Sequence, residues 1–353
     1  MNKTTRKVNI ILSAFNVHTG GGLVLLSSLF KQKKIKKFIL DFRIKKKIPY
    51  SKKNIFVRRK IFDRLFYFHS NIFNFKSSHT ICFNNLPPLL KPKSRVILFI
   101  QTFYFFANIL NYNFNLYTTL RIYFEKIWFR IGIRNVDEIW IQTPTMKNRL
   151  VLYLKKLNLK NKIEVKEKPM IDAKLQSLIE SKKFINTSKK KGYFFYPADS
   201  AGHKNHKRLF LAFSKIKKPF KLFLTIDEKS FKNNLSNIEI PEKGEFINLN
   251  TLPRYKVLNF FKKKIDALIF PSLDESFGIP LIEACVFKKN ILVSNKNYAH
   301  DLIENAIYFN PYKVDSITSA INKYLNINKK IKKPKLKKNI KFLSSKNFVE
   351  AID

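Results

Sequence analysis

A chain of 353 residues is long enough for one large or two medium domains with cores of their own. It carries 69 Lys and Arg against 24 Asp and Glu, a formal charge of +45, yet 45% of it is hydrophobic and 35 residues are Phe, which excludes a disordered chain. Two isolated cysteines, Cys82 and Cys285, exclude a disulfide framework and fit a reducing compartment.

The basic start leads into Val8–Ala14, an alternating apolar run with no small-residue cleavage site behind it. It reads as a first strand, not a signal peptide. Directly after it stand His18, Thr19, Gly20, Gly21 and Gly22, with three of the chain's eight glycines in one tripeptide. Bare backbone there, entering a helix predicted near Gly22, suits phosphate or sugar oxygens. The spacing is neither G-x-G-x-x-G nor a Walker loop. An ordinary tight turn is the plain alternative, and His18 is either a ligand contact or a loop histidine.

Further strands are predicted over Phe38–Phe42, Thr80–Phe83, Val96–Ile100 and Glu138–Gln142, with helices over Gly22–Lys31, Leu116–Ile131 and Pro144–Leu157. Val96–Leu110 is the most apolar stretch, but it is short for a membrane span and holds Gln101 and Asn108. From Phe99 to Trp128 aromatic residues crowd together with Arg121 and Lys126. Packing in a core and docking on a membrane surface both fit that stretch.

Between Lys166 and Lys191 the pattern fades into a Lys- and Ser-containing stretch with Pro169, as in a linker. A second alternation follows. Strands are predicted over Tyr193–Tyr196, Leu222–Thr225, Phe246–Leu249, Ala267–Phe270 and Ile291–Ser294. Helices are expected near Lys204–Lys215, Pro253–Lys262, Pro280–Phe287 and Asp315–Asn326, before a Lys-rich stretch over Asn328–Lys341. The fold class is thus α/β, with two parallel-sheet halves facing a central cleft. The boundaries are 1–170 for the first domain, 171–190 for the linker, 191–327 for the second domain and 328–353 for a basic tail packing back on the first.

Two loops of the second half carry chemistry. Tyr196 to His206 ends in His203-Lys204-Asn205 at a helix start, placing an ammonium beside fixed N–H dipoles that grip a diphosphate. Lys207 and Arg208, one turn on, read equally as a solvated face. Phe270 to Ala284 runs strand, loop and helix, with Pro280 near the first helical position. Glu275 stands in the loop and Glu283 in the helix, with the N–H groups of Ser276, Phe277, Gly278 and Ile279 between them. The spacing of the two carboxylates is weak by itself; its context of Pro-Ser before and Phe-Gly-Ile-Pro between makes it specific.

The segment Ile269–Ala284 resembles the Glu-(seven residues)-Glu signature of retaining nucleotide-sugar glycosyltransferases of family four, in the bacterial surface-polysaccharide branch. The Tyr-Pro-Ala to His-Lys-Asn-His stretch is similar to their donor-diphosphate loop. Asn84–Pro88 and Gln142–Lys147 resemble further segments of such enzymes. The resemblance is dense from Tyr193 to about Ala320 and sparse before. It implies the GT-B fold, with two Rossmann-like domains, an acceptor domain first and a donor domain second. It assigns Glu275 to the transferred sugar near its anomeric carbon, Glu283 to the nucleotide ribose, and Lys204 with His203 to the diphosphate. Ser276 to Ile279 would bind sugar or phosphate, and Gly20 to Gly22 phosphate or acceptor. It implies transfer with retention, without metal or other cofactor; the chain has no Asp-x-Asp. Two positions depart from the pattern: Ala198 replaces a usual basic residue, which His203 or Arg208 would have to replace, and Gln101-Thr102 stand where many members have a histidine.

The partners implied are a nucleotide-sugar donor and a glycan or lipid-linked acceptor of O-antigen, capsule or lipopolysaccharide type. The expected setting is cytoplasmic, peripheral on the anionic inner leaflet. A nucleic-acid partner is disfavoured because only 12 of the 69 basic residues are Arg, the better reader of bases and phosphates. Abundant Lys, Asn, Ile and Phe are also what an AT-rich coding sequence yields. The rival readings are a basic polyanion or membrane-surface binder without transferase activity, and a GT-B sugar-nucleotide epimerase or phosphorylase.

Overall fold

The computed structural model describes residues 8–49, 51–112, 114–181, 191–327 and 332–352. The basic start at residues 1–7, residues 182–190 of the expected linker, and residues 328–331 and 353 of the expected tail lie outside the described residues.

The first half runs β1 (Ile10–Ala14), α1 (Gly20–Leu29), β2 (Ile35–Asp41), β3 (Asn54–Val57), α2 (Ile61–Asn74), β4 (His79–Cys82) and β5 (Arg95–Phe99). It continues through α3 (Leu116–Gly132), β6 (Glu138–Ile141), α4 (Pro144–Lys156), β7 (Glu164–Glu167) and α5 (Ala173–Ser181). The second half begins with β8 (Tyr193–Tyr196), α6 (His206–Ser214), β9 (Phe220–Leu224), α7 (Glu228–Leu235), β10 (Gly244–Asn248) and α8 (Arg254–Lys263). Then come β11 (Ala267–Phe270), α9 (Ile279–Val286), β12 (Asn290–Ser294), α10 (Asn297–Leu302), β13 (Ile303–Glu304) and β14 (Ile307–Phe309). Last are α11 (Val314–Asn326), β15 (Lys335–Leu336) and α12 (Ser345–Glu350).

The chain divides into two compact units. The first holds the residues up to Asn108, Leu116–Gln176 and Lys341 onward; the second holds Ile109–Asn115 and Ser177–Ile340. The first unit has a seven-stranded sheet in the order β3-β2-β1-β4-β5-β6-β7, and the second a six-stranded sheet in the order β10-β9-β8-β11-β12-β14. Every pairing within these two sheets is parallel. Both orders are doubly wound, reversing beside the first strand of the unit, between β1 and β4 and between β8 and β11. Strands covered on both faces read as unbroken apolar runs, and β1, β11 and β12 are buried at every position.

Several elements differ from the sequence reading. The first helix begins at Gly20, so the three glycines form its first turn. Gly20 adopts φ +63, which glycine enters without penalty. β3, β7 and β14 escaped notice because they are three or four residues long and, in β7 (Glu-Val-Lys-Glu), polar on a sheet edge. α2 was missed because its phenylalanines point outward as well as inward. α5 occupies Ala173–Ser181, inside the stretch read as linker. Within the aromatic stretch, Phe99, Phe103, Phe105, Tyr112 and Trp128 are buried, whereas Tyr117, Tyr123 and Phe124 are exposed.

The residues after Lys341 belong to the first unit. Leu343 bridges Met170 in parallel, and Phe348 packs its ring on Phe83, Phe99 and Trp140 at 6.1, 5.1 and 4.8 Å.

Candidate active site

In a doubly wound sheet, ligands bind beyond the carboxyl ends of the strands where the order reverses. In the second unit those strands are β8 and β11, and the two loops singled out from sequence follow them. Ala267–Phe270 ends in Pro271 and Ser272, and Tyr196 reaches across from β8. Its hydroxyl donates to the Lys204 carbonyl at 2.9 Å and so accepts from the Ser272 hydroxyl at 2.8 Å. Tyr298 donates to the Ser272 carbonyl at 2.9 Å. Burial pushes both phenols well above their ordinary range, so they serve as neutral struts.

On this frame Lys204 Nζ lies 2.6 Å from Glu275 Oε1. Burial draws the ammonium's pKa down, but Glu275 and Asp199 outweigh it and the net shift is upward. Lys204 stays charged. His203, also buried, differs: burial first, then the charges on Lys204 and His206, hold its pKa well below the usual range. It is neutral and does not replace the cation missing at Ala198. Arg208 flanks the loop, its guanidinium donating to Asn205 Oδ1 at 3.0 Å.

Asn205 holds the loop in shape. It sits at φ 62, and its amide donates to the carbonyls of Pro271 at 3.1 Å and Pro311 at 2.8 Å. His206 donates from Nε2 to the Asp199 carbonyl at 2.7 Å, which leaves Nδ1 as a buried lone pair without a partner. A cavity of about 430 Å³ opens beside this loop, lined by Ser200, Gly202, Lys207, Arg208 and Asn234 among others.

The second loop turns into α9 through Gly278, at φ +95; a Cβ there would stand 3.2 Å from Leu281 Cδ1. Pro280 opens the helix, Phe277 is buried beneath the turn, and Ser276 and Ile279 are half-buried. Glu283 is 1% exposed and pairs with Arg254 on α8. A buried carboxylate without such a partner would be strongly disfavoured.

Arg254 was not singled out from sequence, and neither was Asp274. The Asp274 carboxylate accepts from the Glu275 backbone N–H at 2.9 Å and from Tyr112 Oη at 3.1 Å. Tyr112 lies in the Ile109–Asn115 segment of this unit, with its ring 6.5 Å from His203. Lys204, His203, Glu275, Ser276, Phe277, Gly278, Ile279 and Glu283 are thus brought onto two adjacent loops and the helix that follows the second.

Gly20, Gly21 and Gly22 belong to the first unit, after β1 at the equivalent reversal point of its own sheet. Nothing stands within 4 Å of a Cβ built on Gly20, whereas one on Gly22 would lie 3.3 Å from Gln101 Oε1 and Val17. Gln101 itself is held by the Phe83 carbonyl, to which its amide donates at 2.8 Å. His18 donates from Nδ1 to the Asn16 carbonyl at 3.1 Å and accepts at Nε2 from Arg43 at 2.9 Å. Burial lowers its pKa, and Arg43 is in turn anchored on Asp41 at 2.6 Å. His18 is tied into a loop network.

Among known proteins, residues 177–342 match the sequence model of the family "Glycosyl transferases group 1". The O-antigen chain mannosyltransferase RfbU of Salmonella typhimurium is 31% identical over 147 residues, 39% of this chain and 40% of that protein. The match therefore spans well under half of either sequence. Among solved structures, sucrose-phosphate synthase from Thermosynechococcus elongatus superposes with a TM-score of 0.67 at 12% identity, covering 90% of each chain. The α,α-trehalose-phosphate synthase from Burkholderia xenovorans does so with a TM-score of 0.58 at 11% identity, covering 91% and 92%. Residues 177–342 are thus similar to the group 1 glycosyltransferases, and the two parallel sheets share the GT-B fold of the superposed structures.

Proposed function

We propose that the protein is a retaining hexosyltransferase that moves a sugar from a nucleoside-diphosphate sugar to a polysaccharide or lipid-linked glycan. The observation that carries this reading is the 2.6 Å Lys204–Glu275 pair at the reversal point of the second sheet, two turns of chain ahead of the buried Glu283. Lys204 and the backbone N–H groups of Ser276 to Ile279 receive the diphosphate. Glu275, beside them, accepts hydroxyls of the transferred sugar near its anomeric carbon. Glu283 takes the vicinal ribose hydroxyls, and the Gly20–Gly22 turn contacts phosphate or acceptor through bare backbone.

In the reaction the anomeric C–O bond to the diphosphate breaks and a C–O bond to the acceptor hydroxyl forms on the same face. The acceptor's proton passes to the leaving phosphate oxygen, so no side-chain base is assigned. Neither a metal nor another cofactor is assigned to the reaction. Similarity to an O-antigen chain mannosyltransferase supports a hexose donor and a surface-polysaccharide acceptor.

Thermal-shift measurements against UDP-, GDP- and dTDP-sugars test the reading. One nucleotide class should stabilise the protein, with Glu283→Ala losing that stabilisation. Glu275→Gln should keep nucleotide binding and lower transfer by about 10²–10³, as removal of a group acting on developing charge does. No stabilisation by any nucleotide would overturn the proposal, and full function in Glu275→Gln would favour a polyanion binder.

A further inference from the structure

Surface helices of soluble proteins turn their apolar side inward. In the first unit α2 and α3 are apolar on both sides. On α3, Ile122 and Phe129 are buried, while Leu116, Leu120, Phe124, Ile127 and Ile131 recur at three- and four-residue spacing and are each more than half exposed. On α2, Phe68 and Ile72 are buried, while Phe62 and Phe66 are 79% and 68% exposed. The helices lie side by side: the Arg59 guanidinium covers the Tyr117 ring at 4.9 Å, and His69 stacks on Trp128 at 6.3 Å. Their outward residues form one uncovered apolar face, and faces of this kind mark interaction sites.

The charge around the face tells what covers it. Half of the chain's 12 arginines stand on or immediately beside these two helices: Arg64 turns inward, 3.7 Å from Asp41, while Arg58, Arg59, Arg121, Arg130 and Arg134 are exposed. The acids on the same two helices are Asp63 and Glu125, and Glu125 is tied to Arg121 at 3.2 Å. Elsewhere the positive charge is overwhelmingly Lys. Arginine concentrated around Phe, Leu and Ile matches a surface with anionic phosphates above an apolar layer. A nucleic acid has no use for exposed Leu and Ile. A second copy in a symmetric dimer would set arginines against arginines.

We propose that the α2–α3 face docks on an anionic lipid bilayer, its Phe, Leu and Ile side chains entering the acyl boundary and its arginines meeting lipid phosphates. Among the described residues no helix is long and apolar enough to cross a membrane, so the two helices lie in the interfacial plane. The inference does not depend on the transferase reading.

The test is co-sedimentation of the full chain with vesicles of phosphatidylethanolamine and phosphatidylglycerol, against pure phosphatidylcholine, at low and high salt. Binding is expected on the anionic vesicles alone and weakened by salt. The exposed-position variant Phe66→Ser/Phe124→Ser should bind roughly tenfold more weakly, and Arg58→Gln/Arg59→Gln severalfold more weakly. Lys229→Gln/Lys232→Gln on α7 should change binding by less than about twofold. Both face variants should keep the wild-type thermal midpoint and its nucleotide-sugar response, which separates this proposal from the function proposed above. Absence of binding to anionic vesicles overturns it. So does binding that survives Phe66→Ser/Phe124→Ser. A dimer in light scattering that the same variant splits assigns the face to a second copy instead, and RNA binding that the variant abolishes assigns it to nucleic acid.

Discussion

Lys204 and Glu275 neutralise one another across the reversal point of the second sheet, Nζ to Oε1 at 2.6 Å, with side chains only 15% and 10% exposed. Removing one partner strands the other as a buried charge. Lys204→Met should therefore cost about 3 kcal/mol of stability, while Lys204→Met/Glu275→Gln should recover most of it. Urea unfolding of the two variants beside wild type measures the coupling. Additive losses would mean that the pair is solvated and weak.

Asn205 combines a left-handed backbone with two donated hydrogen bonds to buried carbonyls. Two alternatives separate these roles. Asn205→Gly keeps the backbone and loses the amide, so it should cost about 2 kcal/mol. Asn205→Ala loses both and should cost about 1 kcal/mol more. Equal unfolding midpoints for Gly and Ala would show that the backbone is under no constraint.

His206 supplies a pH dependence. Burial pushes its pKa from the ordinary 6.5 down to about 4. Between those values the unfolded chain binds a proton that the folded chain does not, so stability is complete above pH 6.5 and falls as pH falls toward 4. The loss totals roughly 3 kcal/mol and ends once both states are protonated. His206→Gln should flatten the curve of unfolding free energy against pH over that window. An unchanged slope would place the proton uptake on other groups.

The glycines at the two sheet ends should respond differently. At Gly278 a methyl group meets both φ +95 and Leu281 Cδ1 at 3.2 Å, so Gly278→Ala should cost about 2 kcal/mol. At Gly20 the space is open and only the backbone at φ +63 objects, at about 1 kcal/mol. If Gly20 lies against phosphate or acceptor, Gly20→Ala should lower transfer far beyond its small effect on the thermal midpoint. Activity tracking stability would remove that turn from the site.

The two loops of the second unit were legible because their turns are written locally. Pro271, Gly278 and Pro280 mark where a strand stops and a helix starts, and Asn205 marks the left-handed step before α6. Arg254 was not legible, since an arginine opening a Lys-rich helix carries no local sign of the carboxylate it meets. Tyr112 and Asp274 stand 162 positions apart, and only the fold brings them together. α2 stayed hidden for the reason that makes it interesting: Phe62 and Phe66 break the one-sided pattern by which helices are found. Each glycine marks a single backbone position, whereas lysine is spread over the whole sequence and points to none.

Phe348, Val349 and Ile352 are buried, and Phe348 seats on the rings of Phe83 just after β4, Phe99 of β5 and Trp140 of β6 in the first unit. During synthesis that unit emerges first, yet it waits for α12 until the whole second unit has followed. Its core closes after that of the second unit. A ribosome-bound chain halted near Asn326 holds a second sheet complete in strands and a first sheet lacking its final aromatic plug, so truncations at either unit boundary should yield fragments that handle poorly in isolation.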